Sequence, residues 1–591
     1  MKNTPAPAST PTPLCLIETA ARIPDAPAYF VRGETAWEAT SWRELLGEVQ
    51  AAARALIALG VRPGQNVCIL GFNRPEWLIM DHAAMMVGAT AAGIYWTSAP
   101  PEVAYILEHS KAAVLLVEDA AQRAKVAASG ALAVVAMRGP ALQGAMAWGE
   151  FLALGAAEHQ TELERRLAAI RPDDIGALIY TSGTTGHPKA VMLSHGNLAW
   201  AAQALKDAFA VTESDGLISY LPMAHVAEKV GAIHSPSRTG NAIYFARSME
   251  ALLDHLKEVR PTIFFGVPRL WEKMQSALAA RLAAATGVKG AMARRAMGVT
   301  RRWHERHLAG EPTGALLDLQ MALARKLVLS KVHRALGMDR ARLLISGAAP
   351  IAPENLRFFL GLDLLVRELY GQTEVGGPTS LSLPGSTRIG AVGKALPGLE
   401  MRIADDGELL VRSPGVFRGY AGEPDATAEA LADGWLRTGD LGRIDAEGYL
   451  FITGRKKDLI ITSGGKNISP SNLEAELMGT ALIEHAVVVG DGRHYLVALL
   501  TLKPGAAASF ENEAALHAAV QAEIDTVNSR QARVATLRKF AIIEGSFSID
   551  DGELTATMKL RRRVVVEKHR KRVEALYGAD TRTTGEESIG A

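Results

Sequence analysis

The residues best suited to chemistry lie between positions 179 and 195, in the stretch IYTSGTTGHPKAVMLSH. The runs at 175–180 and 190–193 are apolar and read as strands. Between them stand small or flexible residues, 181–187, and then Pro188 and Lys189. Gly183 and Gly186 let the backbone turn through positive φ and approach a ligand closely. Successive N–H groups in such a loop form an anion-binding nest. Ser182, Thr184 and Thr185 add hydroxyl donors, and Lys189 adds a mobile charge suited to phosphate. The pattern predicts a triphosphate cradle at the tip of a hairpin. It is not the GxxxxGK[ST] loop of kinase-like NTPases, because the lysine follows a proline and no Ser or Thr comes after it. A Gly/Thr-rich linker has similar composition, but a linker would not be gripped by two apolar runs.

Other candidates follow along the chain. His225, in SYLPMAHVAEKV, comes after a proline-ended strand and can face a cleft. A lone histidine is as readily a satisfied core residue. FFGVPRLWEKM, 264–274, is another strand ending in a proline turn; Phe264 and Phe265 read as core, and Trp271 lies beyond the strand end. In RLLISGAAPI, Gly347, Ala348 and Ala349 leave room for a flat ligand against backbone. In ELYGQTEVGG, Tyr370 offers a ring to stack on a base and Glu374 offers the hard oxygen that Mg²⁺ prefers. An acid at a helix start is the plainer reading of Glu374. WLRTGDLGRID places Asp440 in a tight Thr-Gly-Asp turn, where its carboxylate can accept both hydroxyls of a ribose or simply close an Asx turn. GRKKDLIITSGGKNISP opens with a run of charges that reads as a solvated linker, and Lys559 in DDGELTATMKLRRR reads by itself as one more surface lysine.

The elements that must position these residues are also visible. Ser41 and Glu44 make a capping box for a helix that stops at Gly60, with Trp42, Leu45, Leu46, Val49, Leu56 and Leu59 on one face. Short apolar strands at 67–71, 91–96 and 113–117 then alternate with helices at 75–87 and 100–110. That alternation predicts a parallel sheet covered on both faces. Residues 275–340 are helical by composition and carry Lys289, Arg294, Arg295, Arg301, Arg302 and Arg306. Those charges suit a solvated helix face, anionic lipid headgroups or the phosphates of a ligand.

The whole chain sets limits. Its 591 residues leave room for several domains. A net charge of +1 gives no global electrostatic case for nucleic acid. Cys15 and Cys68 have no CxxC partner and fit a reducing cytosol better than a disulfide scaffold or zinc site. No run of eighteen apolar residues predicts a transmembrane span. The start, MKNTPAPASTPTP, lacks the apolar core of a secretory signal, and residues 1–13 and 581–591 read as loose tails.

Taken together, the motifs resemble those of the adenylate-forming superfamily, which includes acyl-CoA synthetases, adenylation domains and luciferases. The resemblance runs from about Cys15 to Tyr577 with every core motif in order. GFNRPEW and GIYWTSAPPE, with the 275–340 segment, are most similar to the long-chain and bubblegum-type fatty acyl-CoA synthetases. The resemblance implies an α/β fold: a large multi-sheet N-terminal domain, layered α/β/α/β/α, over 14–454, a hinge at 455–458, and a small mobile α+β domain over 459–580. It implies that Thr181 to Gly186 and Lys189 hold ATP phosphates, and that Thr184 and Glu374 hold Mg²⁺. Gly347, Ala348, Ala349, Tyr370, Gly371, Gln372 and Thr373 would hold adenine, and Asp440 and Arg455 ribose. His225 would stand beside the substrate carboxylate, and Trp271 would border the acyl tunnel. Gly464 and Gly465 would line the pantetheine channel of CoA. Lys457 would be the pivot and Lys559 the catalytic lysine. Arg437 departs from the His that many relatives carry before TGD, which puts only an outlying contact in doubt. The function implied is ATP-dependent conversion of a long-chain fatty acid to acyl-AMP and then to acyl-CoA. An acyl-AMP ligase serving a carrier protein, a synthetase for medium-chain or aromatic acids, and a ligand sensor without activity are the rival readings. A cytoplasmic enzyme is expected, with peripheral contact at the inner membrane surface and a homodimer left open.

Overall fold

The computed structural model describes residues 9–127, 132–181, 187–549, 551–555 and 559–578. The chain divides into two compact units, Met1–Ile452 and Thr453–Ala591, with the division inside the strand Leu450–Arg455. The capping box forms as the sequence predicts. Ser41 Oγ accepts from the Glu44 N–H, and the Glu44 carboxylate accepts from the Ser41 N–H, at the start of the helix Trp42–Ala58.

The first unit holds three sheets. One has six strands, and its parallel part runs through Ala133–Ala136, Ala112–Val117, Asn66–Leu70, Thr90–Ile94 and Ile175–Thr181. These strands are buried and rich in Val, Ile, Leu and Ala, as a sheet covered on both faces requires. Lys189–Ser194 closes its edge antiparallel to Ile175–Thr181, which makes the expected hairpin. A nine-stranded sheet has Ile263–Gly266, Leu343–Ser346 and Val366–Gln372 side by side and parallel. A smaller antiparallel sheet holds Glu408–Arg412 and Trp435–Ile444. Helices fill 275–340: the end of Pro268–Ala284, then Gly287–Leu308, then a run from Ala315 to Leu336 broken by one π turn, Arg325–Leu329.

The second unit has a three-stranded sheet of Ile483–Val489, Leu496–Leu502 and Leu537–Ile542. The helices Pro470–Met478 and Glu513–Asn528 contribute to its core. Mixed α/β layers in a large first unit and α+β in a small second one match the fold class read from the sequence.

Candidate active site

The hairpin fixes the flanks of the glycine-rich loop. Thr181 pairs with Lys189 and Tyr180 with Ala190, and the strand residues between are buried. Ser182, Gly183, Thr184, Thr185 and Gly186 lie outside the described residues. Lys189 is tied to a segment far along the chain. The backbone of residues 418–421 runs along the Lys189–Ser194 strand, with Ala421 N–H donating to the Ala190 carbonyl and Met192 N–H to that of Gly419. This brings Tyr420 and Glu423 to Lys189. The ammonium sits 4.9 Å over the Tyr420 ring and 3.4 Å from the Glu423 carboxylate. A partly exposed pair of this kind is worth about 0–1 kcal/mol, so Glu423 orients Lys189 without locking it. The Tyr420 hydroxyl donates to Glu374 Oε1 at 2.9 Å. Burial and the Glu374 carboxylate push the Tyr420 phenol up, so it stays a donor.

This arrangement fits a hydrated divalent cation. Glu374 is half-buried, in the turn Thr373–Val375. No cluster of three metal-ligating side chains occurs among the described residues. One carboxylate suits Mg²⁺, which completes its shell from phosphate oxygens and water.

A second cluster forms where Leu343–Ser346 and Val366–Gln372 run parallel. Past the first strand, Ala348 has φ +71°, a left-handed conformation uncommon outside glycine. Gly347 is buried beside it and Ala349 is exposed. Gly371 lies where the strand shifts register against Gly377–Leu381, and a Cβ there would stand 1.9 Å from the Gly377 carbonyl oxygen. Thr373 is buried just beyond. The Tyr370 hydroxyl donates to Asp440 Oδ2 at 2.6 Å, and Gln372 Nε2 donates to the Tyr370 oxygen at 3.3 Å. Burial and the Asp440 carboxylate hold the Tyr370 phenol well above its usual range. Asp440 does not sit in a tight turn as the sequence suggests. It lies in a bulge of the ten-residue strand Trp435–Ile444, with Gly439 at φ +70°. Thr438 Oγ1 accepts from the Asp440 N–H, and Glu408 accepts from the Gly439 N–H. The extra residues of a bulge re-aim a side chain without breaking the sheet.

Next to this cluster is a cavity of about 1050 Å³, its open mouth included. His225, Ala348 and Gly371 border it, and Phe209, Val230, Phe265, Leu343 and Ile345 supply much of its apolar wall. His225 caps the short helix Val226–Lys229, its Nδ1 accepting from the Ala227 N–H at 3.2 Å. The neutral ring therefore carries its proton on Nε2. Asn73 sets the segment before it: its side-chain oxygen accepts from the Met223 N–H, and its amide donates to Ser219 and to the Leu221 carbonyl. Glu228 also borders the cavity. Ser219 Oγ donates to it at 2.5 Å, and burial pushes its carboxyl up to about 8. At neutral pH the cavity wall is then free of that charge. The next residue, Lys229, is fully buried in an ion pair with Asp81 and lies 5.2 Å over the Trp77 ring. The pair ties the His225 helix to the helix Pro75–Met86.

The second unit carries others of the expected residues. Lys559 is exposed and is tied to Thr555, with its carbonyl accepting from the Thr555 N–H and its N–H donating to Thr555 Oγ1. Just after it, Arg562 makes a bidentate pair with Glu474, at 2.6 and 2.7 Å, which anchors the chain next to Lys559. Arg455 and Lys457 are exposed, and Gly465, at φ +70°, closes a turn onto the Thr462 carbonyl.

A family profile described as AMP-binding enzyme matches residues 16–421, and one described as AMP-binding enzyme C-terminal domain matches 457–581. The chain belongs to the AMP-binding enzyme family. A long-chain-fatty-acid–CoA ligase, FadD15 of Mycobacterium bovis, is 38% identical over 92% of this chain and 93% of its own length. The long-chain-fatty-acid–CoA ligase ACSBG2 of Gallus gallus is 35% identical over 94% of this chain and 80% of its own. The A domain of a carboxylic acid reductase from Segniliparus rugosus, solved with AMP and a carboxylic acid, superposes with TM-score 0.73 at 21% identity, covering 96% of this chain and 94% of that one. O-succinylbenzoate CoA synthetase of Bacillus subtilis, solved with AMP, gives 0.68 at 21% identity over 94% and 98%. These two show the shared fold.

Within this AMP-binding enzyme the structure groups Lys189 with Glu374 through Tyr420, and Tyr370 with Gln372 and Asp440, while His225, Ala348 and Gly371 share one cavity. Trp271, which the resemblance sets at the border of an acyl tunnel, stands behind the wall of this cavity. It is fully buried, with Nε1 donating to the Gly266 and Ile345 carbonyls and its ring edge-on to Phe264 and Phe359. Side chains alternate across a strand, so Phe265 faces the cavity while Phe264 packs with Trp271 behind it. Sequence reasoning missed Tyr420, Glu423, Asn73, Glu228 and Lys229. The one available signal was charge inside an apolar run, Glu228-Lys229 ahead of VGAI.

Proposed function

We propose that this AMP-binding enzyme joins a long-chain fatty acid to CoA at the expense of ATP. In the first step a carboxylate oxygen attacks the α-phosphorus of ATP, and the bond to pyrophosphate breaks. In the second the CoA sulfur attacks the acyl carbon, AMP leaves with the C–O electron pair, and the thiol proton goes to solvent. The observation that carries this reading is the apolar cavity shared by His225, Ala348 and Gly371, which joins a space for hydrocarbon to the nucleotide motifs. The names of the relatives, long-chain-fatty-acid–CoA ligases, support the substrate class.

The obstacle in the first step is crowded negative charge. A positive group about 4 Å from a developing charge is worth roughly 4 kcal/mol at an effective dielectric near 20, or about a thousandfold in rate. Lys189 and Lys559 supply such charge, and His225 orients the incoming carboxylate. Glu374, with Thr184, would hold Mg²⁺, which would supply further positive charge. Ser182, Gly183, Thr185 and Gly186 cradle the phosphates, Tyr370 and Gly347 to Ala349 hold the base, and Asp440 with Arg455 holds the ribose. Lys457 is the pivot that lets the second unit serve adenylation and then thioester formation, with Gly465 beside pantetheine. We assign the reaction to the cytoplasm, where ATP and CoA are available, with peripheral contact at the inner membrane surface, where an apolar acid concentrates.

The test supplies ATP, Mg²⁺, CoA and a long-chain saturated acid, and follows thioester, AMP and pyrophosphate together. Equal amounts of the three support the reading. AMP and pyrophosphate without thioester point to a carrier-protein acceptor, and no product overturns it.

A further inference from the structure

The helices at 275–340 have surface features that the reaction does not explain. Of ten large hydrophobic side chains that stand exposed among the described residues, six lie here: Val288, Met292, Leu316, Leu319, Leu323 and Leu327. The four leucines recur at intervals of three and four along the helical run from Ala315 to Leu336, so they form one stripe. The opposite side of that run is its packed side, where Met321, Ala324 and Leu329 are buried. Leu316 is 71% exposed and Leu319 59%. Scattered single hydrophobics on a surface need no explanation, but an ordered stripe does.

Charge marks the same segment. Residues 275–340 hold 12 Lys and Arg against 4 Asp and Glu, a net of +8. The whole chain carries +1, so the remaining residues carry −7. The positive charges are exposed and interleave with the apolar residues. Lys289 follows Val288, Arg294 and Arg295 follow Met292, and Lys326 and Lys331 flank Leu327. Some of the few acids are already engaged: Asp339 pairs with Arg260, and Asp318 accepts from Trp303 and Thr313.

We infer that this helical layer docks on an anionic lipid surface. A helix with a leucine stripe beside Lys and Arg lies in the headgroup plane, with its apolar side chains in the acyl boundary. Long cationic side chains bury their stems there and keep their charge at the phosphates. No helix among the described residues is long and apolar enough to cross a membrane, so the attachment is to one face. The inference does not depend on the identity of the acid that the enzyme activates.

The full chain is sedimented with vesicles of phosphatidylglycerol and phosphatidylcholine, and with vesicles of phosphatidylcholine alone. Preferential binding to the anionic vesicles, weakened by salt, is the expected result. A variant with Leu316, Leu319, Leu323 and Leu327 all changed to Gln, and another with Arg294, Arg295, Arg301 and Arg302 changed to Gln, should each lower partitioning about tenfold or more. Both sets are exposed, so folding is retained, and each variant should turn over a water-soluble short-chain acid as the native chain does. Equal binding by the native chain and both variants overturns the inference, as does no binding at all. A leucine variant that changes from dimer to monomer in sedimentation equilibrium without losing vesicle binding also overturns it, since a second copy then covers the stripe.

Discussion

Gly371 and Gly231 border the same cavity and differ in what surrounds them. A Cβ on Gly371 would collide with the Gly377 carbonyl at 1.9 Å, whereas a Cβ on Gly231 would meet nothing within 4 Å. The first belongs to a wall made of backbone and hydrogen bonds, with Tyr370, Gln372 and Asp440 beside it. The second belongs to a wall made of helix and open space. On the proposed function, the first wall holds particular atoms and the second leaves volume. Base, ribose and phosphate present fixed donors and acceptors, so their site tolerates little. A hydrocarbon chain presents only area, at about 0.8 kcal/mol per buried methylene, so its site is set by depth.

The largest effects should come from charge, and they should ignore chain length. Lys559→Ala is expected to slow adenylation about a thousandfold with every acid while sparing thioester formation from supplied acyl-adenylate. Equal loss of both half-reactions would remove Lys559 from the role. Gly371→Ala should cost on the order of 1–3 kcal/mol in stability by overpacking, and lower activity with short and long acids alike. Calorimetry alongside chain-length assays checks this, and a length-dependent loss would contradict the division between the walls. Tyr420→Phe removes the hydroxyl on Glu374 and should reduce adenylation by roughly five- to tenfold, recovering in part at raised Mg²⁺.

The smallest effect is one of pH. The Glu228 carboxyl lies near 4.5 unfolded and about 8 in the folded chain. Below 4.5 both states are protonated. Between 4.5 and 8 the unfolded chain ionises and the folded chain does not, so stability falls as pH rises, and above 8 the loss is complete. Glu228→Gln lacks this slope. Relative to the native chain it should gain stability across that window, on the order of 1–4 kcal/mol at the top, and match it in acid. Denaturant melts at several pH values measure it, and parallel slopes would show that Glu228 ionises freely.

The same contrast explains what could be read from the sequence. Gly347, Ala348, Tyr370, Glu374 and Asp440 stood out because atom-specific chemistry leaves residue types at fixed spacing. The Ser41–Glu44 cap and the Ile175–Thr181 hairpin stood out because they are local. Asp440 stands out by its Thr-Gly-Asp setting, but a bulge and a turn look alike in sequence, since Gly439 suits either. Tyr420 was missed because it meets Glu374 across 46 residues of chain. The burial of Trp271 against Phe264 and Phe359 was not legible, because sequence does not say which face of a strand a following helix covers. The cavity wall left no signature at all, since Phe265 and Ile345 look like any core residues.

The direct test of the two-wall account is a chain-length series of acyl-CoA formation in the native chain and in Gly231→Leu. Leucine at 231 should shorten the acid giving the highest kcat/KM and leave the rate with the shortest acids unchanged. A uniform loss with every acid, or an optimum that does not move, would contradict it.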